Sequence, residues 1–293
     1  MSDANEDLHE LPTAELLAVL QAADEEALAA AHAAAPRIEQ AVDAVVACWP
    51  RGGRLIYVGA GTSGRIGALD AAECRPTFGI ERERVRAIVA GGTAALVRSV
   101  EGAEDSEGAG VDAVAAVGAV DADVVVALSA SGETPFTCAA LEEAGRRGAA
   151  TVAVTCAADS RLARSAAIPV VTSVGGEIIE GSTRLKAGTA QKLVCNAIST
   201  ASFIRLGRVW GRHMVAVRMS SEKLRLRAEG ILRQIAGCPD QATARALLVS
   251  AGDDLPTALV MARSGVAREA ARDLLRRAHG DVHRALLLAG EAS

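Results

Sequence analysis

Aromatic side chains are scarce: Trp, Tyr and Phe together make up 2% of the 293 residues. A core must therefore be assembled from Ala, Val, Leu and Ile, and Trp49 and Trp210 read as packing residues rather than sugar platforms. Histidines are few, and His9, His32, His213, His279 and His283 form no H-E-x-x-H or other ligand cluster, so no metal is expected. The six cysteines include no C-x-x-C pair. They read as reduced, mostly buried thiols of a cytoplasmic protein. No apolar run approaches the ~18 residues of a membrane span, so no membrane association is expected. Met1 to Glu10 is acidic and lacks the apolar stretch of a signal peptide. Positive charge is not in excess either. The net charge of −5 gives no field to collect phosphodiester backbones, so nucleic acid is not an expected partner.

What is present is a chain that can fold. Half of its residues are hydrophobic and 23% are charged. That balance allows a substantial core and excludes disorder over most of the length. Residues 13–49 carry helical spacing, with Pro36 dividing two helices. At Arg51-Gly52-Gly53-Arg54 the period changes. Short apolar runs at 55–58, 85–90, 124–128, 151–155 and, more weakly, 168–171 read as strands. Helix-compatible stretches lie between them at about 63–73, 94–100, 134–147 and 159–165, and a long apolar helix covers 187–206. The alternation indicates a doubly wound α/β fold with a parallel sheet. Beyond Glu222 the texture is helical throughout, punctuated by Gly237, Gly252, Gly265 and Gly280. The expected organisation is an N-terminal helical segment (1–50), an α/β domain (51–221) and a small helical bundle (222–293).

Two turns stand out. Gly59-Ala60-Gly61-Thr62-Ser63-Gly64 follows the first strand and matches the dinucleotide pattern G-x-G-x-x-G. The acidic residue that pattern needs after the next strand is missing, because that strand ends Val89-Ala90-Gly91-Gly92-Thr93. No nucleotide cofactor is expected. Hydroxyls at a helix start instead suit a compact phosphate monoester, although a βα turn that merely needs small residues would look similar. The third strand ends in a second turn of the same character, Ser129-Ala130-Ser131-Gly132-Glu133-Thr134. Two such turns on adjacent strand ends can close on one phosphate, with Gly61, Thr62, Ser63, Ser129, Ser131, Gly132 and Thr134 lining it. A third polar loop, Gly181 to Lys186, adds Ser182 and Lys186. For acid–base chemistry the candidates are Glu73, among small and apolar neighbours, and Glu104, in an acidic stretch that also reads as a solvated loop.

Four segments carry a resemblance: LIYVGAGTSGRIGALDAAECRPTFG (55–79), VEGAEDS (100–106), SASGETPF (129–136) and GGEIIEGSTRLKAGTAQKL (175–193). They closely resemble the N-acetylmuramic acid 6-phosphate etherases, which are sugar isomerase (SIS) domain proteins, and the likeness extends over nearly the whole chain. It implies a lyase that cleaves the D-lactyl ether of N-acetylmuramic acid 6-phosphate, giving N-acetylglucosamine 6-phosphate and D-lactate. It further implies a cytoplasmic homodimer without metal or cofactor, working in amino sugar catabolism and peptidoglycan recycling, with a UBA-like C-terminal module. By motif, Glu104 takes the C2 proton of the open-chain sugar and Glu73 protonates the departing ether oxygen. The chain departs from the family pattern at Glu133, where Arg is usual, at Glu180 for Thr and at Arg75 for Pro. Two other readings stay open. One is an aldose–ketose isomerase, with Glu177 as an alternative base; the other is a non-catalytic sugar-phosphate-sensing regulator. Geometry sets a test: an unbroken helix from Ser63 places Glu73 about 15 Å further on, beyond the span of one sugar between its phosphate and C3. Either that helix breaks early, or Glu73 serves a sugar held by the other subunit.

Overall fold

A computed structural model describes residues 8–216, 219 and 221–291; the first seven residues of the acidic start lie outside it. The chain divides into two compact units. The first is formed by the described part of Met1–Ala71 together with Glu83–Ser199, the second by Ala72–Arg82 and the described part of Thr200–Ser293.

In the first unit, α1 (Thr13–Ala33) and α2 (Ala35–Cys48) are separated at Ala34. Pro36 sits in the first turn of α2, where its missing N–H costs nothing. The βα alternation follows: β1 (Leu55–Gly59), α3 (Gly61–Phe78), β2 (Val85–Val89), α4 (Glu107–Ala116), β3 (Val124–Leu128), α5 (Pro135–Arg146), β4 (Ala150–Thr155), α6 (Arg161–Ser165), β5 (Ile168–Val171) and α7 (Lys186–Arg205). The five strands are all parallel, in the order β2-β1-β3-β4-β5. β1 and β3 are buried throughout, which is why both read as unbroken apolar runs. Ile56, Val58, Val125 and Ala127 pack against Phe136 and Leu141 in one core cluster.

The strand order reverses direction between β1 and β3, so their carboxyl ends flank the switch point of the sheet. Gly59 is paired in register with Leu128 there. α3 lies unusually close to β1. A Cβ built on Gly64 would come within 2.6 Å of the Gly59 carbonyl oxygen, and one on Gly67 within 2.8 Å of Tyr57 Cβ. Behind the sheet ends, the buried carboxylate of Asp70 accepts from Tyr57 Oη at 2.7 Å, Asn196 Nδ2 at 2.7 Å and Ser199 Oγ at 3.1 Å, tying α3 and α7 to β1. At the other end of β1 and β3, Arg54 and Asp123 form a hydrogen-bonded ion pair at 2.6 Å. Burial pushes the Asp123 carboxyl up, but hydrogen bonds from the Arg54 side chain and the Val120 and Arg54 backbones outweigh it and hold it below the usual carboxylate range.

Three stretches differ from the sequence expectation. Residues 94–100 do not form a full helix; a single tight turn, Gly92–Leu96, takes their place. The helix at that point of the alternation is α4, built from small residues and started by Ser106, whose side chain accepts from the Ala109 N–H at 3.2 Å. Its Gly110 lies against α5, where a Cβ would meet the Phe136 carbonyl oxygen at 2.2 Å. And α3 continues through Pro76 to Phe78.

In the second unit, a short hairpin of β6 (Val209–Trp210) and β7 (His213–Met214) precedes α8 (Glu222–Ile235), α9 (Gln241–Ser250), α10 (Leu255–Ser264), α11 (Arg268–Arg277) and α12 (Val282–Glu291). Ser221, Asp240 and Asp254 cap α8, α9 and α10 through their side chains. Leu232, Leu248, Leu255 and Leu259 are fully buried in their common core. Trp210 lies edge-on to His283 at 5.7 Å, in a packing role. Trp49, in the first unit, is buried under the Arg84 guanidinium at 3.9 Å.

Candidate active site

The first turn is the start of α3. Gly61 has a left-handed φ of 52°, and the helix that opens with it directs its free N–H groups outward from the end of β1. Thr62 and Ser63 are half-buried. Ser63 Oγ donates to Gln191 Oε1 of α7 at 2.9 Å, and Gly188 of α7 leaves room for Thr62, whose Cγ2 lies 3.6 Å from where a Cβ would stand.

The second turn folds on its own hydroxyls. Buried Ser129 places Oγ 2.8 Å from Thr134 Oγ1 and 3.3 Å from Ser131 Oγ, and accepts from the Gly132 N–H at 3.0 Å. Ser131 Oγ accepts from the Glu133 N–H at 3.2 Å. Gly132 is required: its φ is 69°, and a Cβ would lie 2.1 Å from Ser160 Oγ. The Gly132 carbonyl takes the Leu162 N–H at 3.0 Å and the Cys138 thiol at 3.4 Å. Burial pushes that thiol up to about 11. Glu133 is turned toward α6, where Oε1 accepts from the Arg161 N–H at 2.8 Å.

Glu104 joins these turns. Its carbonyl oxygen accepts from the Phe136 N–H at 3.0 Å, which fixes the 100–105 segment against the first turn of α5. Its side chain is exposed and lines a cavity of about 210 Å³ with Ala60, Gly61, Arg65, Val100 and Glu101 among its neighbours. The structure thus brings Glu104, the Gly61 turn and the Ser129–Thr134 turn to one end of the sheet.

The remaining candidates lie apart from this cluster or are engaged elsewhere. Ser182 is half-buried in the loop before α7. The ammonium of Lys186 is buried and pairs with Glu26 Oε2 at 2.7 Å, while Glu177 caps α7 by accepting from the Lys186 and Ala187 N–H groups at 2.9 and 3.0 Å. Glu73 is exposed on α3. That helix runs unbroken from Gly61 to Phe78, so the alternative of an early break does not hold. Ten residues at 1.5 Å each separate Ser63 from Glu73 by about 15 Å along the axis. Sequence inspection missed Arg65 and Gln191. Nothing in the local pattern marks either one. Among the described residues no group of three or more His, Cys, Asp or Glu side chains is placed to hold a metal ion, and no helix is long and apolar enough to cross a membrane.

Two family models agree with this architecture. Residues 37–144 match the glucokinase regulatory protein N-terminal SIS domain, and residues 114–201 match the SIS domain. Among solved structures, a phosphoheptose isomerase from Francisella tularensis is 21% identical, with a TM-score of 0.48, over 64% of this chain and 98% of that one. An N-acetylmuramic acid 6-phosphate etherase from Streptomyces avermitilis is 44% identical over 283 residues, covering 97% of this chain and 91% of that protein. One from Pasteurella multocida is 42% identical, covering 96% of this chain and 93% of its own length. On this near-complete likeness, the chain belongs to the N-acetylmuramic acid 6-phosphate etherase family.

Proposed function

We propose that the protein is a carbon–oxygen lyase that converts N-acetylmuramic acid 6-phosphate to N-acetylglucosamine 6-phosphate and D-lactate. The observation that carries this is the position of Glu104, fastened at 3.0 Å to the first turn of α5 beside Ser129–Thr134 and sharing a cavity with Gly61. The phosphate is held by the hydroxyls of Thr62, Ser63, Ser129, Ser131 and Thr134 and by the N–H group of Gly61, while Gly132 shapes the second turn through its N–H bonds to Ser129. Ser182 and Lys186, ahead of and at the start of α7, are the further candidates for this grip, the Lys186 ammonium being shared with Glu26. Gripping the phosphate at one end supplies binding energy that is used at the reacting carbons.

The chemistry follows from the substrate. In the open-chain sugar the C1 aldehyde acidifies C2–H. Glu104 takes that proton, the electron pair forms C2=C3, and the C3–O bond to lactate breaks. An alkoxide is a poor leaving group, so Glu73 delivers a proton to the ether oxygen as it departs. Water then adds at C3 and a proton returns to C2. The two carboxyls must work in opposite protonation states. With 15 Å of helix between Ser63 and Glu73, we infer a homodimer in which Glu73 acts on a sugar held by the other subunit. We further propose that it works in the cytoplasm, in the recycling of peptidoglycan amino sugars.

Aldose–ketose isomerisation is the weaker alternative, because Glu177 and Glu133 both have carboxylate oxygens engaged by helix N–H groups. A purely sensing role needs neither Glu73 nor Glu104. Purified protein incubated with N-acetylmuramic acid 6-phosphate should release D-lactate equimolar with the amino sugar phosphate. Formation of a ketose phosphate, or binding without lactate at high enzyme concentration, would refute the proposal.

A further inference from the structure

The cavity around Glu104 contains a cation that the reaction as described does not use. Arg65, in the second turn of α3, lines it together with two glutamates, Glu101 and Glu104. Its Nε donates to the Ala95 carbonyl oxygen at 2.9 Å, which anchors the guanidinium plane. That is the hydrogen bond its side chain makes among the described residues, so the outer edge of the fork is left for a ligand. A fixed, planar guanidinium is suited to gripping a carboxylate through two parallel N–H bonds.

The substrate decides which anion that is. Its two anionic groups are the phosphate on C6 and the carboxylate of the lactyl arm on C3. The hydroxyl turns take the first. Glu104 works at C2, and C3 is the adjoining carbon, so a group carried on C3 has to lie in the same small cavity as the base. Without a cation, two glutamates would repel it there. We propose that Arg65 receives the lactyl carboxylate and is the specificity-determining residue that separates the ether substrate from the same sugar phosphate lacking the arm. This assignment rests on the lyase activity proposed above. By holding the carboxylate, Arg65 also fixes the rotation of the lactyl group, so that the ether oxygen is presented to its acid while C2–H faces Glu104.

The test compares two ethers, N-acetylmuramic acid 6-phosphate and its lactamide analogue, in which a neutral amide replaces the carboxylate. Wild-type protein is expected to prefer the acid by about 100-fold in kcat/KM. In Arg65→Gln the preference should collapse to within a few-fold of unity, and Arg65→Lys should retain part of it. Inhibition by N-acetylglucosamine 6-phosphate, which has no lactyl arm, should stay within about twofold of wild type in both variants, which also reports that they are folded. A full preference for the acid in both variants, with that inhibition intact, would overturn the role of Arg65 alone. No lactate from the acid and no lactamide from its analogue with wild-type protein would overturn the lyase activity and this assignment together.

Discussion

The backbone N–H of Phe136 donates to the carbonyl oxygen of Glu104 at 3.0 Å. This one bond connects a loop that carries a carboxylate to the helix start that follows the Ser129–Thr134 turn. The candidate base and the hydroxyl turn are therefore positioned by the same element, the first turn of α5, and a shift in one moves the other.

Removing the hydroxyl at the centre of that turn should weaken it twice. Ser129→Ala deletes one of the two acceptors of the Gly132 N–H, the Ser129 carbonyl oxygen at 3.1 Å remaining, and removes the partner of Thr134 Oγ1. A loss of about 1–2 kcal/mol in unfolding free energy is expected. KM for the sugar phosphate should rise at least tenfold, with a smaller change in kcat. Denaturant titration and steady-state kinetics check the two effects separately.

Shared catalysis between subunits gives a mixing experiment. Glu104→Gln and Glu73→Gln should each lower kcat by about 10²–10⁴-fold with modest change in KM. If Glu73 serves the neighbouring subunit's sugar, unfolding the two variants together and refolding them should regenerate activity. Random pairing makes half of the dimers mixed, each with one intact site of two, so about a quarter of wild-type activity should return. No recovery would place both carboxylates on one chain's site.

The Arg54–Asp123 pair predicts an acid dependence. The Asp123 carboxyl is held below its ordinary value, so its contribution to stability is fully present above that value, about pH 4, and is lost as the pH falls through the lower folded value. Urea midpoints should therefore drop from about pH 4 downward, and Asp123→Asn should flatten that segment of the curve. Asp123→Ala leaves Arg54 without its carboxylate and is expected to cost about 3 kcal/mol at neutral pH.

Much of this architecture was legible in the chain. β3 and β5 match their apolar runs residue for residue, because each is bounded by a change of period or by a turn residue. α4 was not legible. Its sequence, Glu-Gly-Ala-Gly-Val-Asp-Ala-Val-Ala-Ala, lacks large side chains because it packs closely on α5, and a helix made of small residues shows little amphipathic contrast. In the site, the two hydroxyl turns could be read from strand-end position and composition. Their contact with Glu104 could not, since it runs through a backbone bond spanning residues 104 and 136. Arg65 was equally hidden: its meaning comes from the cavity it lines, not from its neighbours in the chain.

Isotopic labelling of the products tests the elimination most directly. The reaction is run in D₂O enriched in H₂¹⁸O, and the sugar phosphate and lactate are separated for NMR and mass spectrometry. Proton abstraction at C2, cleavage of C3–O and readdition of water require one deuterium at C2 and one ¹⁸O at C3 of the sugar, with unlabelled oxygen in the lactate. Lactate carrying ¹⁸O at its hydroxyl, or a sugar without deuterium at C2, would contradict it.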